Sequence, residues 1–140
     1  MSKPSTTQLT GRDVAPTGLV AEWRELLDRH AVVSCALEKE LQGKHDIGLS
    51  EFETLDRLVD AACGDYRMSD LANDIYLSQS ALSRAVARLE RDGLVSRSVC
   101  AEDRRAIFVC LTDKGREVHE SALPTHREVL ERTWGSQPKC

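Results

Sequence analysis

Residues 78–97 read SQSALSRAVARLERDGLVSR. Ser78 can cap a helix, Leu82, Val86 and Leu89 recur at i, i+4 and i+7, and Gly93 falls just past the last periodic position. This spacing predicts one amphipathic helix, a rod of roughly 22 Å. With the Leu–Val–Leu stripe buried, the opposite face presents Gln79, Ser80, Ser83, Arg84, Ala87, Arg88 and Arg91. A face meant only for water gains nothing from being so bare of glutamate. Small side chains let a backbone approach a DNA major groove, Gln and Arg pair bidentately with adenine and guanine edges, and Ser reaches bases or phosphates. The bland alternative is an ordinary surface, and the flanking elements decide against it.

After Gly93 the periodicity changes. LVSRSVC (94–100) and AIFVCLT (106–112) are β-branched, apolar runs separated by the charged link AEDRR (101–105), which predicts a two-stranded ribbon with arginines at its tip. Upstream, MSDLANDIYL (68–77) predicts a short helix near Ser69–Ile75 and a tight turn. Short helix, turn, second helix and basic-tipped ribbon is the order of a winged helix-turn-helix. The expected fold is therefore mainly α with a small β-hairpin wing and flanking helices. Those helices are read at about 17–42, with Thr17 as cap, and about 112–134, with Thr112 as cap, a kink at Pro124 and a stop at Gly135 and Pro138. Between them, LSEFETLDRLVDAACG (49–64) predicts another helix with Ser50 and Glu53 in capping-box positions and Gly64 as its stop. The winged helix then spans about 50–111 of a single domain at 17–140, and residues 1–16, rich in Ser, Thr and Pro, form a flexible arm.

Composition narrows the function classes. A chain of 140 residues with 41% hydrophobic and only 4% aromatic residues suits one helical, leucine- and alanine-rich core. The net charge of −4 argues against a nucleic-acid partner until its distribution is seen. Between Ser78 and Arg116, eight basic residues face five acidic ones, a local +3 that leaves −7 for the remainder. A basic face on an acidic body steers a protein toward one side of a polyanion. No apolar run approaches the roughly 18 residues of a membrane span, and the N-terminus lacks a secretory core, so a cytoplasmic protein without membrane partners is expected. The five cysteines (35, 63, 100, 110, 140) form no CxxC pair, and reduced, buried, inert thiols are the default expectation. If the hairpin turns near Asp103, Cys110 pairs with Ser96, which leaves Cys100 about 13 Å out of register with it. His119 and His126 are seven apart, but a kink at Pro124 would separate them and no ligand spacing closes a metal site. With no phosphate loop, nucleophile elbow or HExxH, neither catalysis nor a cofactor is expected.

The combination of "LA", an S-x-x-x-S-R helix start, RLERDGLV, DRRA and LTDKG, in that order over about residues 66–116, resembles the MarR family of bacterial transcription regulators. The resemblance implies a homodimer on a pseudo-palindromic double-stranded operator, with half-sites about 34 Å apart. It implies a DNA-binding set of Ser78, Gln79, Ser80, Ser83, Arg84 and Arg88 from the helix and Asp103, Arg104 and Arg105 from the wing. Through the family's D-x-R pattern, Arg105 enters the minor groove, Asp103 holds arginine side chains in place, and Arg104 meets phosphate or solvent. It also implies a repressor that lets go of DNA when a small aromatic or phenolic acid binds between the dimerisation helices and the winged domain. Trp23 and His30, seven apart on one face of the first helix, are the residues placed in that crevice, with plain packing as the alternative. The last helix stops near Trp134, short of the family pattern, so the first helix is expected to supply more of the dimer. Two rivals stay open: a thiol-based redox-sensing regulator, and a winged-helix module for protein contact with weak DNA binding.

Overall fold

Leucine spacing decides which helix faces meet. In the computed structural model, residues 17–61, 66–99 and 102–135 are described. The expected arm at 1–16, the stops at Gly64 and Pro138, and Cys63, Cys100 and Cys140 lie outside them. The elements are α1 (Thr17–His45), α2 (Leu49–Leu58), α3 (Met68–Asp74), α4 (Gln79–Arg91), β1 (Val95–Val99), β2 (Ile107–Leu111), α5 (Asp113–Leu130) and a π turn (Glu131–Gly135). Leu41, Phe52, Leu55, Leu58, Leu71, Leu82, Val86, Leu89 and Val109 come from α1, α2, α3, α4 and β2 and form one buried cluster, which Val95 of β1 and Ala122 of α5 join. The Leu82–Val86–Leu89 stripe of the opening helix is thus the side that holds α4 to the rest.

The strands pair antiparallel with Val95 opposite Leu111, Ser96 opposite Cys110 and Val99 opposite Ile107, as a turn near Asp103 requires. A further rung was not legible in the sequence. Arg67 bridges Phe108, and the Val109 N–H donates to the Tyr66 carbonyl at 3.0 Å, so the segment before α3 widens the wing at its base.

Three sequence expectations are revised. The first helix does not end near residue 42, since it runs through Gly43 to His45 and ends with Asp46 at φ 60°. The cap of α2 is Gly48 rather than Ser50, and Glu51 rather than Glu53 closes the box by accepting the Gly48 N–H at 2.8 Å. Pro124 lies inside a single helix, α5, and does not separate its histidines. Both rings stack on Phe52, at 5.4 Å for His119 and 4.5 Å for His126.

The LTDKG segment ties α4 to α5. The Thr112 hydroxyl donates to the Gly93 carbonyl (2.7 Å) and accepts the Gly115 N–H (3.0 Å), while Lys114 donates to the Asp92 carbonyl (3.1 Å). Gly93 takes φ 78°, the left-handed turn that a helix stop needs.

Candidate nucleic-acid interface

Ser78 caps α4, its Oγ accepting the Ala81 N–H at 3.1 Å. That fixes the start of the helix, so its first turn projects Gln79 and Ser80 outward, both exposed. Burial of Leu82, Ala85, Val86 and Leu89 then sets the roll of the rod. Ser83, Arg84, Ala87 and Arg91 are exposed on the other side, and Arg84 has no ion-pair partner among the described residues. A guanidinium left uncommitted on a face of small residues is suited to a base edge or a phosphate.

At the wing tip, the Asp103 carboxylate accepts the Arg105 backbone N–H (3.0 Å) and lies 3.6 Å from its Nε, while the Asp103 carbonyl accepts the Ala106 N–H (3.0 Å). Asp103 therefore builds the turn. The Arg105 side chain stands 96% exposed. Gln79 and Ser83 from α4, Asp103 and Arg105 from the wing, and Arg67 and Ser69 at the start of α3 line one open groove of about 300 Å³. Four of the nine sequence-predicted residues meet there, and Ser80 and Arg84 lie on the adjoining exposed face of α4. Arg104 is exposed at the tip.

Two predicted residues are employed elsewhere. Ser78 is used as the cap, and Arg88 turns to the α2 side, where its Nε is bonded to the buried Glu51 carboxylate. Arg67 and Ser69 escaped the sequence reading. Their signal was position: they flank the start of the first helix of the helix-turn-helix, which the Met68–Asp74 boundary makes plain. Arg67 lies with its guanidinium 5.7 Å from the Phe108 ring, which holds it over the wing base.

A MarR family model matches residues 49–107, from the start of α2 to the first residue of β2. The crystal structure of AbsC, a MarR family transcriptional regulator from Streptomyces coelicolor, is 31% identical, with a TM-score of 0.75 over 86% of this chain and 81% of that one. The chain belongs to the MarR family of DNA-binding transcriptional regulators. Sco3205, another MarR family regulator of Streptomyces coelicolor, solved in complex with DNA, is 30% identical with a TM-score of 0.76 over 94% of this chain and 79% of that one. The HTH-type regulator YwhA of Bacillus subtilis is 28% identical over 68 residues, so the match spans 49% of this chain and 49% of that relative.

In this MarR chain a second concavity, of about 570 Å³, opens between α1, the start of α2, the α3–α4 turn and the end of α5. His30 lines it as expected, but Trp23 does not: that ring is 57% exposed farther along α1. The aromatic wall is Trp134 of the π turn, whose ring lies 4.1 Å under the Arg29 guanidinium and whose carbonyl accepts from Arg29 Nη2 at 3.1 Å. Val33, Leu37 and Leu77 supply apolar surface, and Glu53 and Arg57 supply charge. On the floor of the neighbouring α2–α5 contact, Arg127 Nη1, which can only donate, meets His126 Nδ1 at 2.8 Å, so that nitrogen accepts and Nε2–H donates to Glu53 (3.1 Å). Asp56 takes His119 Nε2 at 2.7 Å and Arg127 at 3.2 Å. Burial raises the Asp56 carboxyl, but these two partners outweigh it and hold it below its ordinary value. Tyr66 is pushed up to about 12 by burial and by its hydrogen bond to the Asp74 carboxylate.

Among the described residues no group of three or more His, Cys, Asp or Glu is placed to hold a metal ion, and no helix is long and apolar enough to cross a membrane. The expectation of reduced thiols is overturned at Cys110, a buried residue of β2 that is disulfide-bonded. Cys35 is free and exposed rather than buried.

Proposed function

We propose that this MarR-family chain acts in the cytoplasm as a homodimeric repressor that reads a pseudo-palindromic operator. Residues of about 50–111 form the reading module, and helices of about 17–42 and 112–134 pair the two copies. In this reading α4 enters the major groove with Gln79, Ser80, Ser83 and Arg84, and Arg105 reaches the adjoining minor groove. Arg67, Ser69 and Arg104 lie over phosphates, which position the protein without specifying sequence. One observation carries this: helix and wing bring Gln79, Ser83 and Arg105 to the walls of a single groove.

The test is binding of the protein to DNA from its own upstream region across a salt series, with Arg84→Ala and Arg105→Ala alongside. Affinity should fall log-linearly with salt, and each variant should lose site selectivity. Selective binding that both variants retain removes the proposed reading surface, and no binding at any salt leaves the protein-contact module as the function.

The crevice beside α1 supports the effector half of the proposal. Its apolar walls, with His30 and Trp134 at the edge, suit a small aromatic or phenolic acid. Because the concavity joins α1 to the α3–α4 turn, a ligand there acts on DNA affinity by preferring one arrangement of the lobes. A panel of phenolic acids that changes neither operator affinity nor melting temperature removes this half. The disulfide at Cys110 favours a second reading, thiol control of the same operator binding. Affinity that is equal with and without reductant eliminates it.

A further inference from the structure

Glu51 is a charged residue only 6% exposed, and both of its carboxylate oxygens are occupied. Oε1 accepts the Gly48 N–H that opens α2 (2.8 Å), and Oε2 holds Arg88 Nε from α4. The next N–H of the same helix start, that of Leu49, is taken by Glu38 Oε1 of α1 at 2.8 Å. Two carboxylates from different directions thus converge on the first turn of α2, where the helix dipole favours negative charge. One leads back to the long α1 helix and the other leads forward to α4. An ionised carboxylate this buried persists only if it is paired, so the contact between Glu51 and Arg88 is obligatory to the site.

Position completes the argument. On α4 the buried stripe is centred on Leu82, Ala85, Val86 and Leu89, and the outward face on Ser80, Arg84, Ala87 and Arg91. Position 88 falls on the flank between the two, at a residue's reach from α2, and its guanidinium is half-exposed with one edge given to Glu51. Apolar packing alone lets a rod roll by a few degrees. A charged clamp at one flank stops that roll, and the ion pair of Arg97 with Glu90 (2.8 Å) braces the same helix against β1 on the other flank.

We propose that Glu51 and Arg88 form a positioning clamp that fixes the roll of α4 relative to α2, so that Arg88 acts on DNA recognition through helix orientation and makes no phosphate contact. This rests on the DNA-reading function proposed above. The clamp also carries the α1 connection through Glu38 into the reading helix, which makes the start of α2 the joint between the pairing and reading parts of the chain.

The experiment compares full-length wild type with Glu51→Gln, Arg88→Lys and the double variant on operator and on unrelated DNA, over a salt series, with hydrogen exchange of the DNA-free proteins. Glutamine keeps an acceptor for Gly48 but loses the charge. Lysine keeps the charge but lacks the Nε edge that Glu51 holds. The clamp predicts that both single variants weaken operator binding on the order of tenfold and that the double variant is no worse than either. It also predicts an unchanged salt slope, little change on unrelated DNA, and faster exchange of α4 amides in both single variants. A phosphate-contacting Arg88 predicts otherwise: Glu51→Gln tightens binding by removing a negative charge, and Arg88→Lys retains nearly full affinity because lysine also serves a phosphate. Either of those results, or unchanged α4 exchange, overturns the clamp. Should Glu51→Gln not fold, Arg88→Lys carries the decision alone, since its site is half-exposed. A wild type that selects no DNA sequence overturns the DNA-reading function and with it the positioning role. That outcome is distinguishable, because the exchange result is obtained without DNA.

Discussion

Ser78 and Ser80 are two residues apart and interchangeable in composition, yet the fold uses them differently. Ser78 Oγ is spent on the Ala81 N–H, whereas Ser80 faces outward with only a 3.3 Å contact to the Ser78 hydroxyl. Ser78→Ala is expected to cost about 1 kcal/mol of stability. Ser80→Ala is expected to stay within about 0.5 kcal/mol while weakening operator binding. Urea melts of both variants, read beside operator binding, check the pair, and equal melting midpoints would remove the distinction. Gly115 is a sharper case. A Cβ there would lie 2.0 Å from the Leu94 carbonyl oxygen and 2.8 Å from Leu111 Cδ1, because α5 starts hard against the turn between α4 and β1. That carbonyl cannot retreat, since it also accepts the Thr112 N–H at 3.1 Å. Gly115→Ala should therefore destabilise by about 1–3 kcal/mol or more, as overpacking does, and an unchanged thermal midpoint would sink the argument. The final glycine of LTDKG is thus explained by close approach, a reason that a motif match does not reveal.

Among the elements, the α2–α5 contact depends on acid. Asp56 is held below its ordinary value of 3.8 by His119 and Arg127, so its folded form binds a proton less readily than its unfolded form. Its contribution to stability is then fully present above about pH 4, the unfolded value, and is lost as pH falls through the lower folded value. Asp56→Asn should be less stable than wild type at neutral pH, with the gap closing below about pH 4. A gap that stays constant down to the acid transition would show that the pairing contributes nothing. Much at this scale was legible in advance. Capping residues and periodicity placed α4, the wing and the start of α5, since Ser78, Thr112 and Gly93 are local signals. What was not legible depends on partners distant in sequence. The box on α2 closes on Glu51, whose second oxygen is taken by Arg88, 37 positions away, and that pairing draws Arg88 toward α2. Trp23 was misplaced for a related reason: spacing puts it on the face of His30, but only the fold tells where along a helix of 29 residues the crevice ends.

For the molecule as a whole, that length is decisive. Leu19, Trp23, Leu26 and Leu27 continue the same stripe as Val33, Leu37 and Leu41, yet the first four are 46–57% exposed and the last three are buried. At 1.5 Å per residue, 29 residues of α1 outrun the 18 of α5 by roughly 16 Å, and among the described residues the N-terminal half of the stripe is left largely uncovered. A row of four large apolar side chains on one helix is costly to leave in water, at about 25 cal/mol per Å². In the homodimer proposed above, the cover is the same stripe on a second copy, because an isologous interface matches a patch to itself. Pairing there would also join two reading helices into one unit, as the proposed pseudo-palindromic operator, with half-sites about 34 Å apart, requires. Leu26→Glu places a charge in the middle of the row and leaves the crevice, the groove and the core untouched. It should shift sedimentation from dimer to monomer and abolish the dependence of melting temperature on protein concentration that an obligate pair shows. Operator affinity should fall much further than affinity for unrelated DNA, because only the operator needs both copies at once. If Leu26→Glu remains dimeric and binds the operator like wild type, the pairing surface lies elsewhere; if the wild type sediments as a monomer while binding the operator, one copy suffices and the palindrome has no role.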